Sequence, residues 1–262
     1  MPAAGRADNL VDVTRLYVED ADLYDIAFDW DIADEVDWLV ERFGSGCRSV
    51  LEPGCGSGRM LAALADRGFE VTGIDLSSRM IELARARLAT DADVSVADMT
   101  DFELARTFDA AVSPINTLLH LTPAQLARHL ECVARHLRVG GKYLTQVGLV
   151  DATSDEPFAQ SHWEANRGAT TLRVDWVDER VDLSRGVSVQ RSRIEVLAGD
   201  RAGEVIEELH EVTAWTPESW RRAIASSPFT EAATYDGGRK GEWPFVDGDA
   251  VGGLLWHELQ RD

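Results

Sequence analysis

Lysine is nearly missing from this sequence. Only Lys142 and Lys240 stand among 26 basic residues, against 46 Asp and Glu, for a formal charge of −20. A field of that sign repels phosphate, so neither a nucleic acid nor an anionic membrane surface is the expected partner. Cysteine is scarce too: Cys47, Cys55 and Cys132 are odd in number and lack paired metal-ligand spacing, which argues against a disulfide framework and a zinc site and fits a reducing cytoplasm. No run approaches the ~18 apolar residues of a membrane span. The first twenty residues hold Arg6, Asp8, Asp12, Arg15 and Glu19 where a signal peptide would have its apolar stretch. Internal repeats and low-complexity tracts are absent. What the chain does have is 262 residues, 45% of them hydrophobic, with eight Trp, enough for one large α/β domain carrying an insertion.

Hydrophobic periodicity divides the chain into four parts. Residues 1–10 are small and polar and read as a frayed end, and the rest of 1–43 reads as a helical cap of two helices. Over 44–150, short apolar strands alternate with helical patterns. The strands read as 48–52, 69–75, 94–97, 108–113 and 142–147. Ser77 caps one helix, Thr122 opens another with a capping box and Pro123 at its first position, and Gly140-Gly141 is expected to end that helix. Strand–helix alternation implies a doubly wound parallel sheet with helices on both faces. Over 151–214, three segments (172–182, 187–196, 205–214) alternate with period two, an inserted antiparallel meander. The segment 215–262 holds another helix from Thr216-Pro217 and two strands near 231–235 and 254–259, completing the core.

The most informative stretch is Val50 to Gly58, VLEPGCGSG, between a strand and a helix. Gly54, Gly56 and Gly58 let the backbone turn tightly and approach a ligand with no Cβ in the way. The spacing is G-x-G-x-G; the dinucleotide fingerprint needs a small residue at position 59, and Arg59 stands there. Asp75 ends the second strand, where a carboxylate can accept from both hydroxyls of a ribose. Asp98 ends the third strand, with Met99 beside it to pack on an adenine. Loop, acid and acid therefore fall on one carboxyl edge of the sheet, where open α/β folds bind ligands.

With those residues in order, the stretch from Val50 to Val147 resembles a class I S-adenosylmethionine-dependent methyltransferase, in its small-molecule, glycine N-methyltransferase-like branch. The resemblance implies a Rossmann-like sheet of seven strands, the last antiparallel, with the inserted antiparallel β segment as a substrate lid. It implies S-adenosylmethionine as cofactor, leaving as S-adenosylhomocysteine. It places Glu52, Gly54, Gly56 and Gly58 along the methionine and ribose, Asp75 on the ribose and Asp98 at the adenine. Leu76, Met80, Met99 and Ser113 complete the cofactor set. Tyr24, in Leu23-Tyr24-Asp25, and Tyr17 would close over the cofactor from the N-terminal helices.

Methyl transfer from a sulfonium is an in-line displacement, so alignment and water exclusion matter more than strong acid or base help. The candidate surface is Ser113 to Leu121, whose N-x-x-x-H-L pattern places Asn116 beside the transferred methyl by resemblance. His120 can accept a proton from an amine or hydroxyl. Trp163 is expected in the connection to the lid, facing substrate, and the lid adds Trp176, Arg173, Arg191 and Arg193, the last two read as a solvated face. The acceptor is expected to be a small molecule; Gly148-Leu149-Val150 stands where glycine-using enzymes place a carboxylate-binding Arg, so glycine itself is not expected. The [DN]-P-P-[YF] motif of base and amide methylation is replaced by Ser113-Pro114-Ile115-Asn116. The alternatives are a non-catalytic S-adenosylmethionine-binding module and a methyltransferase acting on protein. The oligomeric state has no sequence signal.

Overall fold

Helix caps written in the sequence set the frame. In the computed structural model, which describes residues 15–88, 93–151, 160–237, 241–246 and 252–262, the Ser77 side chain accepts from the backbone N–H of Met80 and opens α5 (Ser78–Arg87). Thr122 and Gln125 form a capping box at α6 (Pro123–His136), and Thr216 forms one with Ser219 at α7 (Pro217–Ala225). The remaining helices are α1 (Arg15–Val18), α2 (Ala21–Ala27), α3 (Ala33–Phe43) and α4 (Arg59–Ala65). The cap region thus holds three short helices where two were expected, and the frayed end read over 1–10 lies outside the described residues.

The strands of the main sheet are β1 (Ser49–Pro53), β2 (Glu70–Asp75), β3 (Asp93–Val96), β4 (Phe108–Ser113), β5 (Leu137–Leu149), β10 (Phe229–Asp236), β11 (Phe245–Val246) and β12 (Gly253–Arg261). Their spatial order is β11-β10-β12-β5-β4-β1-β2-β3. The first five run parallel, and β12 enters antiparallel against β5. The expected seven strands are present, and two-residue β11 adds an eighth at the edge. Between β1 and β4 the chain order reverses, and such a switch point opens a crevice at the strands' carboxyl ends. One face of the sheet is packed by Leu126, Leu130, Val133 and Trp220 of α6 and α7, the other by Val36, Leu39, Met60 and Leu64 of α3 and α4.

Gly140-Gly141 does not end a helix. Helix α6 stops at His136 and β5 begins at once, and the glycines form a bulge where pairing slips from Phe108↔Leu137 to Ala110↔Lys142. Gly140 has φ +75°, and a Cβ on Gly141 would stand 2.8 Å from the Arg138 carbonyl.

A second sheet has the order β6-β7-β8-β9, with β6 (Gln160–Arg167), β7 (Thr170–Asp182), β8 (Val187–Ala198) and β9 (Val205–Thr213). Three strands were expected. Edge strand β6 is exposed along most of both faces, so no period-two alternation marks it in the sequence. Trp163 consequently belongs to a strand, not to a connection. The inner face of this sheet packs Leu172, Val174, Ile194 and Ile206 against Leu16, Leu23 and Ala27 of α1 and α2. On the outer face Arg191 pairs with Glu179 and Glu207, and Arg193 with Glu195, Glu207 and Asp175, so the lid arginines form a solvated ion-pair ladder.

Candidate active site

The glycine loop is tied down before any ligand is considered. The backbone N–H groups of Gly54 and Cys55 both donate to the Ile74 carbonyl, at 2.7 and 3.0 Å. Asp75, the last residue of β2, accepts from Gly56 N at 2.8 Å through Oδ2 and from Ser77 N at 2.8 Å through Oδ1. A single carboxylate therefore fixes both the loop after β1 and the start of α5. Burial raises its pKa against these donors, and two accepted bonds leave lone-pair sites on the carboxylate for further donors.

Loop residues Gly54 and Gly56 line a cavity of about 710 Å³ at the carboxyl ends of the strands, a size typical of cofactor and ligand sites. All three loop glycines have left-handed φ. A Cβ on Gly54 would fall 2.6 Å from Thr117 Cγ2, whereas one on Gly56 would meet open space. Asp75, Leu76, Met80, Asp98 and Met99 line the same cavity, as expected, as do Tyr17, Tyr24, Asn116, His120 and Trp163.

Three expected positions lie elsewhere. Gly58 is behind the loop, its missing Cβ facing Ala84 at 3.1 Å, where it lets α5 pack close. Alanine there should cost about 1–2 kcal/mol in left-handed strain, lowering the melting temperature by a few degrees while calorimetric cofactor affinity stays near wild type. Glu52 is buried beneath the loop with Oε2 unpartnered, and burial raises its pKa strongly. It makes no ion pair with Arg59. The Leu61 backbone helps hold its carboxylate, which places it as a prop under the first turn of α4. Ser113 is fully buried, its Oγ 3.3 Å from the Pro53 carbonyl and 2.8 Å from the Tyr143 hydroxyl. Tyr143 continues to His129 Nε2 at 2.8 Å, and His129 Nδ1 lies 2.9 Å from the Met99 carbonyl. Burial lowers His129 to about 4, so it is neutral and its Nδ1–H donates to Met99. This chain pins the ends of β1 and β4 and the middle of β5 to the segment after β3.

The turn after β4 is strained. Ile115 and Asn116 have φ +51° and +59°, left-handed at two consecutive non-glycine residues, each costing on the order of 1–3 kcal/mol. Gln146 holds it: its side-chain Oε1 accepts from Ile115 N at 3.0 Å and its carbonyl from Asn116 N at 3.2 Å. Asn116 Oδ1 in turn accepts from Gly148 N at 2.6 Å. That leaves the Asn116 amide hydrogens as its only donors toward the cavity. His120 follows in a single 3-10 turn (Thr117–His120), with Nε2 3.5 Å from the Tyr17 hydroxyl. Burial, then the neighbouring His210, lowers His120 to about 4, and burial raises Tyr17. Both are neutral near pH 7.

The roof is aromatic. Tyr24 stacks on Phe28 at 4.4 Å and meets Tyr17 edge-on at 5.0 Å. Trp163 Nε1 donates to the Ala27 carbonyl at 2.7 Å, joining the second sheet to α2. Asp178, Ser188, Gln190, Gln146 and Glu35 also line the cavity and were not foreseen. Alternation along β7 does put Asp178 on the face of Leu172 and Val174, so a reading of which face turns polar could have found it.

The sequence profile described as "Methyltransferase domain" matches residues 50–141. A dTDP-3-amino-3,6-dideoxy-alpha-D-glucopyranose N,N-dimethyltransferase from Streptomyces fradiae is 30% identical over 194 residues, 72% of each chain. A dTDP-3-amino-3,4,6-trideoxy-alpha-D-glucopyranose N,N-dimethyltransferase from Streptomyces venezuelae is 30% identical over 168 residues, 60% of this chain and 69% of that one. Among solved structures, S-adenosylmethionine-bound CalS10, an amino pentose methyltransferase from Micromonospora echinaspora, superposes with TM-score 0.73 at 21% identity, covering 92% of this chain and 97% of that one.

Proposed function

Starting from the fact that this chain belongs to the class I S-adenosylmethionine-dependent methyltransferases, we propose that it acts on a small molecule and methylates the amine of an amino sugar or a similar hydroxylated amine. The observation that carries the reading is one cavity lined together by Gly54, Gly56, Asp75, Asn116 and His120 and by the acids Asp31, Glu35, Asp98 and Asp178. The named relatives that act on amino sugars support it.

The site fits the cofactor. Gly56 leaves open space where a side chain would intrude, and Asp75 ends its strand with two hydrogen bonds accepted, leaving lone-pair sites free. Gly54, Gly56, Asp75 and Asp98 would hold the donor, with Tyr17 and Tyr24 over it. When bound, S-adenosylmethionine supplies an electrophilic methyl on a sulfonium. The protein's task is to present a lone pair in line with that methyl. A neutral His120 is a hydrogen-bond acceptor, able to take an amine N–H and turn the nitrogen lone pair away from itself. Asn116 offers its remaining amide hydrogens to substrate. The aromatic roof of α2 and β6 excludes water from the reacting atoms.

A base lowered to about 4 cannot take a proton from an ammonium efficiently at pH 7. His120→Ala should therefore cost about 3- to 10-fold in kcat/KM, the value of one neutral hydrogen bond. The pH–rate profile between 6 and 9 should keep its shape, because the acceptor amine sets it. A rising limb that disappears in the variant would restore His120 as general base. The reading itself is tested by mass spectrometry with a 3-amino-3,6-dideoxyglucose glycoside, where a gain of one or two methyl masses is expected. Methylation of the 3-hydroxy sugar alone would refute it.

A further inference from the structure

The inner face of the second sheet changes character along its strands. Its apolar half pairs Leu172 with Val196 and Val174 with Ile194, and α1 and α2 cover it. Farther along the same face, Trp176 stands opposite Ser192, Asp178 opposite Gln190, and Ser188 opposite Val212. Trp176, Asp178, Ser188 and Gln190 all line the cavity.

These polar groups form a directed chain. Trp176 Nε1 donates to Gln190 Oε1 at 3.1 Å, and Gln190 Nε2 donates to Asp178 Oδ1 at 2.8 Å, which fixes the amide's orientation from both ends. Ser188 Oγ lies 3.4 Å from the same oxygen. The chain ends there: Asp178 Oδ2 has no hydrogen-bond partner among the described residues, and partial burial already raises the carboxyl's pKa. A preoriented, partly desolvated acceptor on a cavity wall gains most from a donor on the ligand. The other acids lining the cavity are Asp31, Glu35, Asp75 and Asp98, and their field favours a cation or a neutral polyol over an anion.

We propose that Asp178, oriented by Gln190 and Ser188 beside Trp176, is the acceptor-anchoring subsite. It binds hydroxyl or ammonium donors on a part of the acceptor other than the nitrogen that takes the methyl, and the acceptor arrives as a hydroxylated amine without a nucleotide or phosphate. The inference rests on the amine reading above and separates this chain from relatives named for dTDP-linked sugars.

The test compares the methyl glycoside of 3-amino-3,6-dideoxyglucose with the same sugar carried on dTDP, using wild type and Asp178→Asn. For wild type, kcat/KM is expected to be at least tenfold higher on the free glycoside. In Asp178→Asn, KM for the glycoside should rise at least tenfold, with kcat within threefold and the S-adenosylhomocysteine Kd unchanged, a split that a loosened fold would not give. Preference for the dTDP-linked sugar, or an unmoved KM, overturns the inference and leaves the amine reading standing. No methylation of either sugar while S-adenosylhomocysteine still binds overturns both. The wild-type comparison decides even where the variant fails to fold.

Discussion

Asp75→Ala should weaken S-adenosylhomocysteine binding by at least a hundredfold in calorimetry. The carboxylate holds Gly56 N and Ser77 N at 2.8 Å each, and as the proposed ribose acceptor it would add two more bonds. Hydrogen bonds to a charged group are worth about 1.5–3 kcal/mol each, and 1.4 kcal/mol is a tenfold change in affinity. Loss of the ribose bonds alone would account for 10² or more, and slackening of the loop adds to it. The pH dependence has a definite sign. Burial raises the carboxyl above its ordinary value in the free protein, so ionised Asp75 costs the unliganded fold stability as pH rises through that region. Ribose hydroxyls would favour the ionised form and draw its pKa down. Affinity should therefore fall as pH drops from neutrality toward the carboxyl's raised value, and Asp75→Asn should flatten that dependence. Affinity within threefold of wild type in the alanine variant would remove Asp75 from the site.

Asp25→Ala should give the largest loss of stability. This buried carboxylate meets Arg87 of α5 and Arg167 of β6 at 2.6 Å each, and so ties the main sheet's helix layer, the cap helix α2 and the second sheet together. Removing one partner of a buried ion pair typically costs 3–5 kcal/mol. Both arginines are partly exposed and keep Asp29, so the lower end, about 3 kcal/mol, is expected. For a chain of this size that lowers the melting temperature by roughly 6–12 °C. Tyr24 sits one residue away, so kcat/KM should fall as well, and saturating S-adenosylhomocysteine should restore part of the melting temperature by mass action. A melting temperature within 2 °C of wild type would show that Asp29 alone suffices.

Local rules carried the glycine loop and the acids that share its cavity. Gly54, Gly56, Asp75 and Asp98 reach one cavity because strand–helix alternation brings successive strand ends to one edge. The same logic could not separate a residue on the cavity wall from one behind it. Glu52, Gly58 and Ser113 belong to the right segments, yet a strand's alternate residues face opposite ways, and depth within the crossover layer is not written in spacing. Gly140-Gly141 misled for a related reason: a glycine pair is the same signal for a helix stop and for a bulge, and only pairing with β4 chose the bulge.

The amino-acid sequence by itself determined the alternating α/β core, the capped starts of α5, α6 and α7, and the glycine loop with its acids, because each depends on neighbours a few residues apart. Tertiary structure alone decided the half proposed to take the acceptor. The Ile115–Asn116 turn exists because Gln146, about thirty residues on, accepts from both of its backbone N–H groups, while Gly148 N–H donates to the Asn116 side chain. The exposed strand β6 pairs with β7 across a tight hairpin, and a hydrogen bond from Trp163 to Ala27, 136 residues away, ties it to the cap. Asp178 reaches the cavity wall with Oδ1 held by Gln190 only once β7 and β8 are in register. Contacts that distant leave no periodic trace in a chain, since they are fixed by the packing of whole elements.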